Sequence, residues 1–268
     1  MNFLTASRID YLQFRWNIHS GCTNFEKGLC QIGEACWARQ EVENFPERYK
    51  YGFEPHFWPE ALHAALSLKK PARVGVGFQG DLFCDWSLPT STIRFTLKNG
   101  YDKAVTIKST VRDATFSICN SLPYCRFLFL TKNWANLSRW EPFPDNAWVG
   151  GTATNQKALH SLLMTLPYVR CAHRWVSIEP PYEKMHATIS ELFKISWVVI
   201  GAQTKPLIKV PPENIEWIVR NSTETNIPVF LKKNIWSSLP KTEPFFHDGA
   251  FRQEYPADLQ LKPIGVKT

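Results

Sequence analysis

Residues 126–133, RFLFLTKN, decide the fold. Four apolar residues run together without a polar alternate and are followed at once by Thr131-Lys132-Asn133. A strand with one wet face alternates apolar and polar positions, whereas a strand covered on both faces does not, and parallel sheets cover both faces. The same continuous pattern stands at WVVIG (197–201) and VFLKK (229–233). Working outward, apolar, β-branched or aromatic runs at 14–19, 73–79, 147–152 and 174–179 read as further strands. Helix-compatible stretches separate them at 59–69 (PEALHAALSLK), 158–166, 188–193 and 212–221. The last is entered through Pro-Pro, and proline is tolerated in a first helical turn. This alternation predicts an α/β chain whose βα repeat closes into a full or partial parallel barrel. An open doubly wound sheet competes, but no glycine-rich phosphate fingerprint follows the first strand. The spacing predicts one domain over 1–240, with a loop at 17–38 that carries three cysteines. A polar, irregular insertion is expected near 87–113, and a tail ordered at best in part over 241–268.

An apolar share of 44% allows a full core. Lys and Arg exceed Asp and Glu by 31 − 24 = +7, a balance that suits polyanionic partners such as nucleic acid. Charge falls within the first ten residues, which is unlike a secretory signal, and no run of eighteen apolar residues exists to span a membrane. The seven cysteines are an odd number, so a disulfide scaffold explains them poorly and a reducing cytoplasm is expected.

The chemistry is concentrated in Asn17-Ile-His-Ser-Gly-Cys22, then Cys30, then Cys36-Trp-Ala-Arg. Three cysteines fall within fifteen residues, after the first predicted strand and before a predicted helix. Thiolates are soft ligands that favour zinc, copper(I) or iron–sulfur clusters. Three rather than four leave one iron of a 4Fe–4S cluster open, whereas structural zinc takes four protein ligands, the fourth here falling to His19 or another residue. The neighbours are Gly, Thr, Asn, Glu and Lys, which is not core composition. Cys84, Cys119, Cys125 and Cys171 read as structural, with Cys84 the exception because it follows the second strand.

The chain resembles the radical SAM superfamily, and within it a family of small phage and prokaryotic three-cysteine-motif proteins with relatives like spore photoproduct lyase. The resemblance runs from about Trp16 to Lys233. It rests on WNIHSGC (16–22), CWA (36–38), GDLF (80–83), FLFLTKN (127–133), AWVGGTAT (147–154), WVSIEPP (175–181), WVVIGAQT (197–204) and PVFLKKN (228–234) in collinear order. Seven residues separate Cys22 from Cys30 and five separate Cys30 from Cys36, wider than the superfamily's usual three and two. The resemblance implies that Cys22, Cys30 and Cys36 hold a 4Fe–4S cluster. The open iron would take S-adenosylmethionine, and the reduced cluster would cleave it to a 5′-deoxyadenosyl radical that abstracts hydrogen, with electrons from a flavodoxin or ferredoxin. It places Gln79, Gly80 and Asp81 at the methionine amine. Thr131, Lys132, Thr152, Thr154, Glu179 and Gln203 stand at further strand exits, where parallel barrels carry their sites, and Asp81, Lys132 and Glu179 are the catalytic candidates among them. Trp37 would shield the cluster, or else serve in ordinary helix packing.

A nucleic-acid base or nucleotide is the expected substrate class, because such enzymes need stacking surfaces and phosphate contacts. Two other classes compete: a zinc-stabilised nucleic-acid-binding protein without catalysis, and a barrel hydrolase with Asp81 and Glu179 as acid and base.

Overall fold

The computed structural model describes residues 3–87, 92–98, 104–204 and 206–261. They form two compact units, one drawn from the described residues up to 147 with 170–172 and 261, the other from those within 148–169 and 173–260.

The first unit contains strands β1 (Leu4–Ala6), β2 (Phe14–Trp16), β3 (His19–Ser20), β4 (His56–Phe57), β5 (Arg73–Val76), β6 (Thr92–Lys98), β7 (Ala104–Thr110) and β8 (Arg126–Thr131). Its helices are α1 (Trp37–Asn44), α2 (Ala61–Ala65) and α3 (Val111–Ser121). β2, β5 and β8 are parallel neighbours in that order, and β1 flanks β2 antiparallel. Trp16, Phe127 and Phe129 lie fully buried on these strands, each worth about 1.5–3 kcal/mol or more in apolar burial. The Trp16 indole also donates to the Ala61 carbonyl at 2.7 Å, which fixes α2 against β2.

The second unit is built on β9 (Ala147–Ala153), β10 (His173–Ile178), β11 (Trp197–Ile200) and β12 (Val229–Leu231), all parallel and paired in chain order from Trp148 onward. β9, β11 and β12 are buried at every residue, as strands covered on both faces must be. α4 (Gln156–Thr165) follows β9, and α5 (Glu216–Glu224) follows β11. Asn155 caps α4 by accepting from the Ala158 amide at 2.8 Å, and the helix turns Leu159, Leu162 and Leu163 inward. The hairpin β13 (Phe246–His247) and β14 (Ala250–Phe251) completes the unit.

The class is mixed α/β on largely parallel strands, as the continuous apolar runs require. Barrel closure is not among the described pairings. Four expectations change. The first strand ends at Trp16, because the left-handed Gly21 (φ 84°) turns the chain and His19–Ser20 pairs instead with β4. The region 87–113 is not irregular where it is described: β6 and β7 form an antiparallel hairpin, and α3 starts at Val111. The alternation in TIRFTLK and AVTIKST is a strand signal that the polar composition masked, and residues 88–91 and 99–103 lie outside the described residues. Residues 188–193 form turns rather than a helix, ending in Lys194 at φ 66°. The chain from 241 to 261 is ordered rather than loose: Leu259 is fully buried and the Arg252 guanidinium is buried against Glu243 and Glu254. Residues 262–268 lie outside the described residues.

Candidate functional site

In the first unit the cysteine loop is hung from the exit of β5. Gly21 and Gly80 form a lone parallel bridge. Any side chain at Gly80 would collide with the Gly21 carbonyl and stand 2.9 Å from His19 Nε2, so only glycine permits this approach. Beyond it the loop is organised by Asn24, which is buried. The Asn24 amide donates to Cys22 Sγ at 3.4 Å, and its carbonyl accepts from the Leu29 and Cys30 amides at 2.8 and 3.1 Å. Its side chain accepts from Cys84 Sγ at 3.6 Å and donates to Asp81 Oδ2 at 2.6 Å.

Asp81 is the centre of this network. Its carboxylate accepts from Thr131 Oγ1 at 2.8 and 2.9 Å, from the Phe83 and Lys132 amides at 2.9 Å each, and from Asn24. Both oxygens are filled by protein donors and the residue is buried. Asp81 therefore ties the exits of β5 and β8 to the cysteine loop, a positioning role rather than that of an open acceptor. Thr131 belongs to the same network, and it accepts in turn from the Asn133 amide at 2.8 Å. Gln79 is fully buried; its amide reaches the Ala38 carbonyl at 3.4 Å, while its Oε1 has no hydrogen-bond partner. Lys132 is half-buried at the β8 exit.

Cys22, Cys30 and Cys36 are all free and half-buried, and Cys36 leads directly into α1. Cys22 and Cys84 share a hydrogen bond; that bond, burial and the Asp81 charge push the Cys22 thiol far up from its ordinary range. Among the described residues no three His, Cys, Asp or Glu side chains are gathered into one ligand set. The structure thus brings Cys22 and Cys30 to one organiser, Asn24, and Cys22 to Cys84. His19 is fully buried, has no partner at either ring nitrogen, and burial pulls it down from 6.5 to about 3. Trp37 is exposed rather than buried as a shield, with the Arg15 guanidinium 5.6 Å from its ring centroid. A cleft of ≈ 500 Å³ opens onto Cys22 and is lined among others by Thr23, Glu26, Arg39, Tyr49 and Phe53. Arg39 donates to Glu26 at 2.8 Å and lies 4.7 Å from the Phe53 ring centroid.

The second unit carries the other strand-exit candidates. Thr152 and Thr154 are buried at the end of β9. Glu179, just past β10, forms an ion pair with Lys232, just past β12. Gly201 lies between them, and a Cβ there would stand 2.7 Å from Lys232 Cδ and 3.1 Å from the Glu179 carboxyl. Gln203 accepts from Tyr182 Oη at 2.8 Å. Asn234 holds Ala202 through both its amide and carbonyl, at 3.1 and 2.6 Å.

Sequence reading found the strand exits but missed Asn24 and the weight of Lys232. Asn24 is 57 residues from its partner Asp81, and a lone asparagine in a polar loop carries no signal. Lys232 sat in view at a strand exit, opposite Glu179.

These features define an α/β protein with polar groups at parallel strand ends and a cysteine loop hung from them. The chain belongs to the family described as "Protein of unknown function (DUF5131)", whose profile matches residues 6–243 and so takes in every residue named in both sites. No curated protein and no solved structure matches it.

Proposed function

We propose that the protein is a radical SAM enzyme whose cysteine loop holds a 4Fe–4S cluster. The observation that carries this reading is the Asn24–Asp81 network, which suspends a loop with three half-buried free thiols at the carboxyl ends of parallel strands. The donor set fits the group in kind, since soft thiolates on a polar loop suit iron and sulfide. When bound, the cluster with S-adenosylmethionine supplies hydrogen-abstraction chemistry. Cys22, Cys30 and Cys36 would bind the irons. Asn24 and Asp81 orient the loop; Asp81 also accepts from the Lys132 backbone amide, and the Lys132 side chain can meet a carboxylate or phosphate. Gln79, Gly80 and Thr131 shape the floor beneath the loop. In the second unit Thr152, Thr154, Glu179 and Gln203 offer hydroxyl, carboxylate and amide groups to cofactor or substrate. In keeping with this reading, the parallel strands belong to a full or partial (β/α) barrel.

The substrate class is a nucleic-acid base or nucleotide, supported by the +7 balance and the aromatic cleft at Cys22. A flavodoxin or ferredoxin serves as reductant in the cytoplasm. No helix among the described residues is long and apolar enough to cross a membrane. The hydrolase alternative, with Asp81 and Glu179 as acid and base, has less support, because the lone pairs of Asp81 are committed to protein donors. To test the proposal, anaerobic protein is reduced with dithionite and supplied with S-adenosylmethionine. The wild-type chain is expected to release 5′-deoxyadenosine and methionine, and C30A is expected to release neither. A wild-type chain with a full iron–sulfide complement and no cleavage contradicts the reading.

A further inference from the structure

We infer that the Glu179–Lys232 pair in the second unit is a binding subsite for an α-amino-acid group. The inference stands on this unit alone and goes beyond the cysteine-loop chemistry. Register places the residues. Ser177 on β10 pairs with Thr152 on β9 and Val199 on β11, and Val199 pairs with Phe230 on β12. Residues in register on parallel strands share a face, and so do residues two apart along one strand. The ladder continues past the strand ends, through Glu179 N to Ala153 O at 3.3 Å, Gly201 N to Ile178 O at 3.0 Å and Lys232 N to Ile200 O at 2.9 Å. Thr154, Glu179, Gly201 and Lys232 therefore form one row at the edge, on the same face as Thr152 and Ser177.

Glu179 and Lys232 leave backbones two strands apart, about 9.6 Å at the usual strand spacing, and meet only because Gly201 between them has no side chain. Their side chains remain 25% and 14% exposed, so the pair is shielded yet still reached by solvent. Charge balance then selects the ligand. A simple anion on Lys232 would leave Glu179 half-buried without a counterion, and a simple amine on Glu179 would strand Lys232; an uncompensated buried charge is costly. A zwitterion with adjacent ammonium and carboxylate satisfies both at once, ammonium to Glu179 and carboxylate to Lys232. The Ser177 hydroxyl supplies a second observation. It is fully buried on this face and has no hydrogen-bond partner, the condition of a group that awaits a water or a ligand atom.

The group can arrive as a free amino acid or as the aminocarboxypropyl end of a larger molecule such as S-adenosylmethionine. Calorimetric titration of metal-free full-length protein distinguishes them. The probes are the standard L-amino acids, S-adenosylhomocysteine, and 5′-methylthioadenosine, which keeps the nucleoside and lacks the amino-acid end. Binding of an amino acid identifies the free source. Binding of S-adenosylhomocysteine but no amino acid, with 5′-methylthioadenosine at least tenfold weaker, identifies the tethered source. In either case the decarboxylated and the deaminated analogues of the bound ligand are expected to bind at least tenfold more weakly to the wild-type chain. E179Q and K232M are expected to weaken binding at least tenfold each. Absence of binding by every amino acid and by S-adenosylhomocysteine overturns the inference, as do equal affinities for the trimmed analogues or unchanged affinities in folded variants. Because no cluster is needed, zwitterion binding by the metal-free chain, together with no cleavage of S-adenosylmethionine by the chain carrying its full iron–sulfide complement, would sink the proposed enzyme and leave this subsite standing.

Discussion

Asp81 and Glu179 are both carboxylates just past a parallel strand, yet their surroundings are opposite. Asp81 is enclosed by neutral donors: two backbone amides, a threonine hydroxyl and an asparagine amide. Glu179 is half-buried and faces a lysine over a glycine. A carboxylate filled by fixed backbone donors has little capacity left for a ligand and strongly fixes the loops that supply those donors. A carboxylate held by one flexible lysine can exchange that partner. The first arrangement builds a site, and the second is available to serve as one.

Substitutions at the two carboxylates should break or sharpen this contrast. The largest effect is expected at Asp81. D81A leaves four donors without an acceptor in a buried place, and a loss of about 4 kcal/mol is expected in urea unfolding, since each such group costs about 1–3 kcal/mol. The matching E179Q change should cost less, about 1–2 kcal/mol, because it leaves the largely buried Lys232 ammonium without its counterion but still within reach of solvent. Equal losses at the two positions would erase the distinction.

Next in size is the acid response beneath the cysteine loop. His19 is held neutral down to about pH 3 in the folded chain, against 6.5 unfolded. Between these values the unfolded chain binds the extra proton, so this contribution to stability is whole above pH 6.5 and is lost as pH falls towards 3. The slope is about 1.4 kcal/mol per pH unit at most, or about 3 kcal/mol by pH 4. Unfolding curves of wild type and H19Q over that range should converge as pH falls; parallel curves would place the imidazole in contact with water.

Asn24→Ala is expected to cost about 2 kcal/mol, by releasing Asp81 Oδ2 and Cys84 from one partner. Limited proteolysis should then cut faster between Cys22 and Cys36 and leave the second unit intact. Smallest is K232M, expected to cost about 1 kcal/mol, because the partner it strands is the more exposed of the two, and to leave proteolysis of the cysteine loop unchanged.

The strand exits were legible because parallel α/β chains write them plainly: β8 spans 126–131, the six residues that RFLFLT predicts, since both its faces are covered. β2 stopped three residues short of its predicted end, because its continuation pairs with His56–Phe57, a contact that no local pattern announces. The hairpin β6–β7 was hidden by its polar setting even though its alternation was present. Function divided in the same way. Cys22, Cys30 and Cys36 stood out through clustering within a polar loop. Cys84 was marked by its place after the second strand, but its meeting with Cys22 and the bond from Asn24 to Asp81 depend on long-range geometry that no local pattern announces.

The central claim is that this loop carries a cluster. Iron and acid-labile sulfide are counted after anaerobic purification, and the electron paramagnetic resonance spectrum is recorded before and after S-adenosylmethionine is added. The account predicts about four irons and a similar sulfide content per chain, with a reduced-cluster signal that the cofactor perturbs. Stoichiometric zinc without iron, bound with Cys22 in its ligand set, would contradict it and make the cysteine loop a structural metal site.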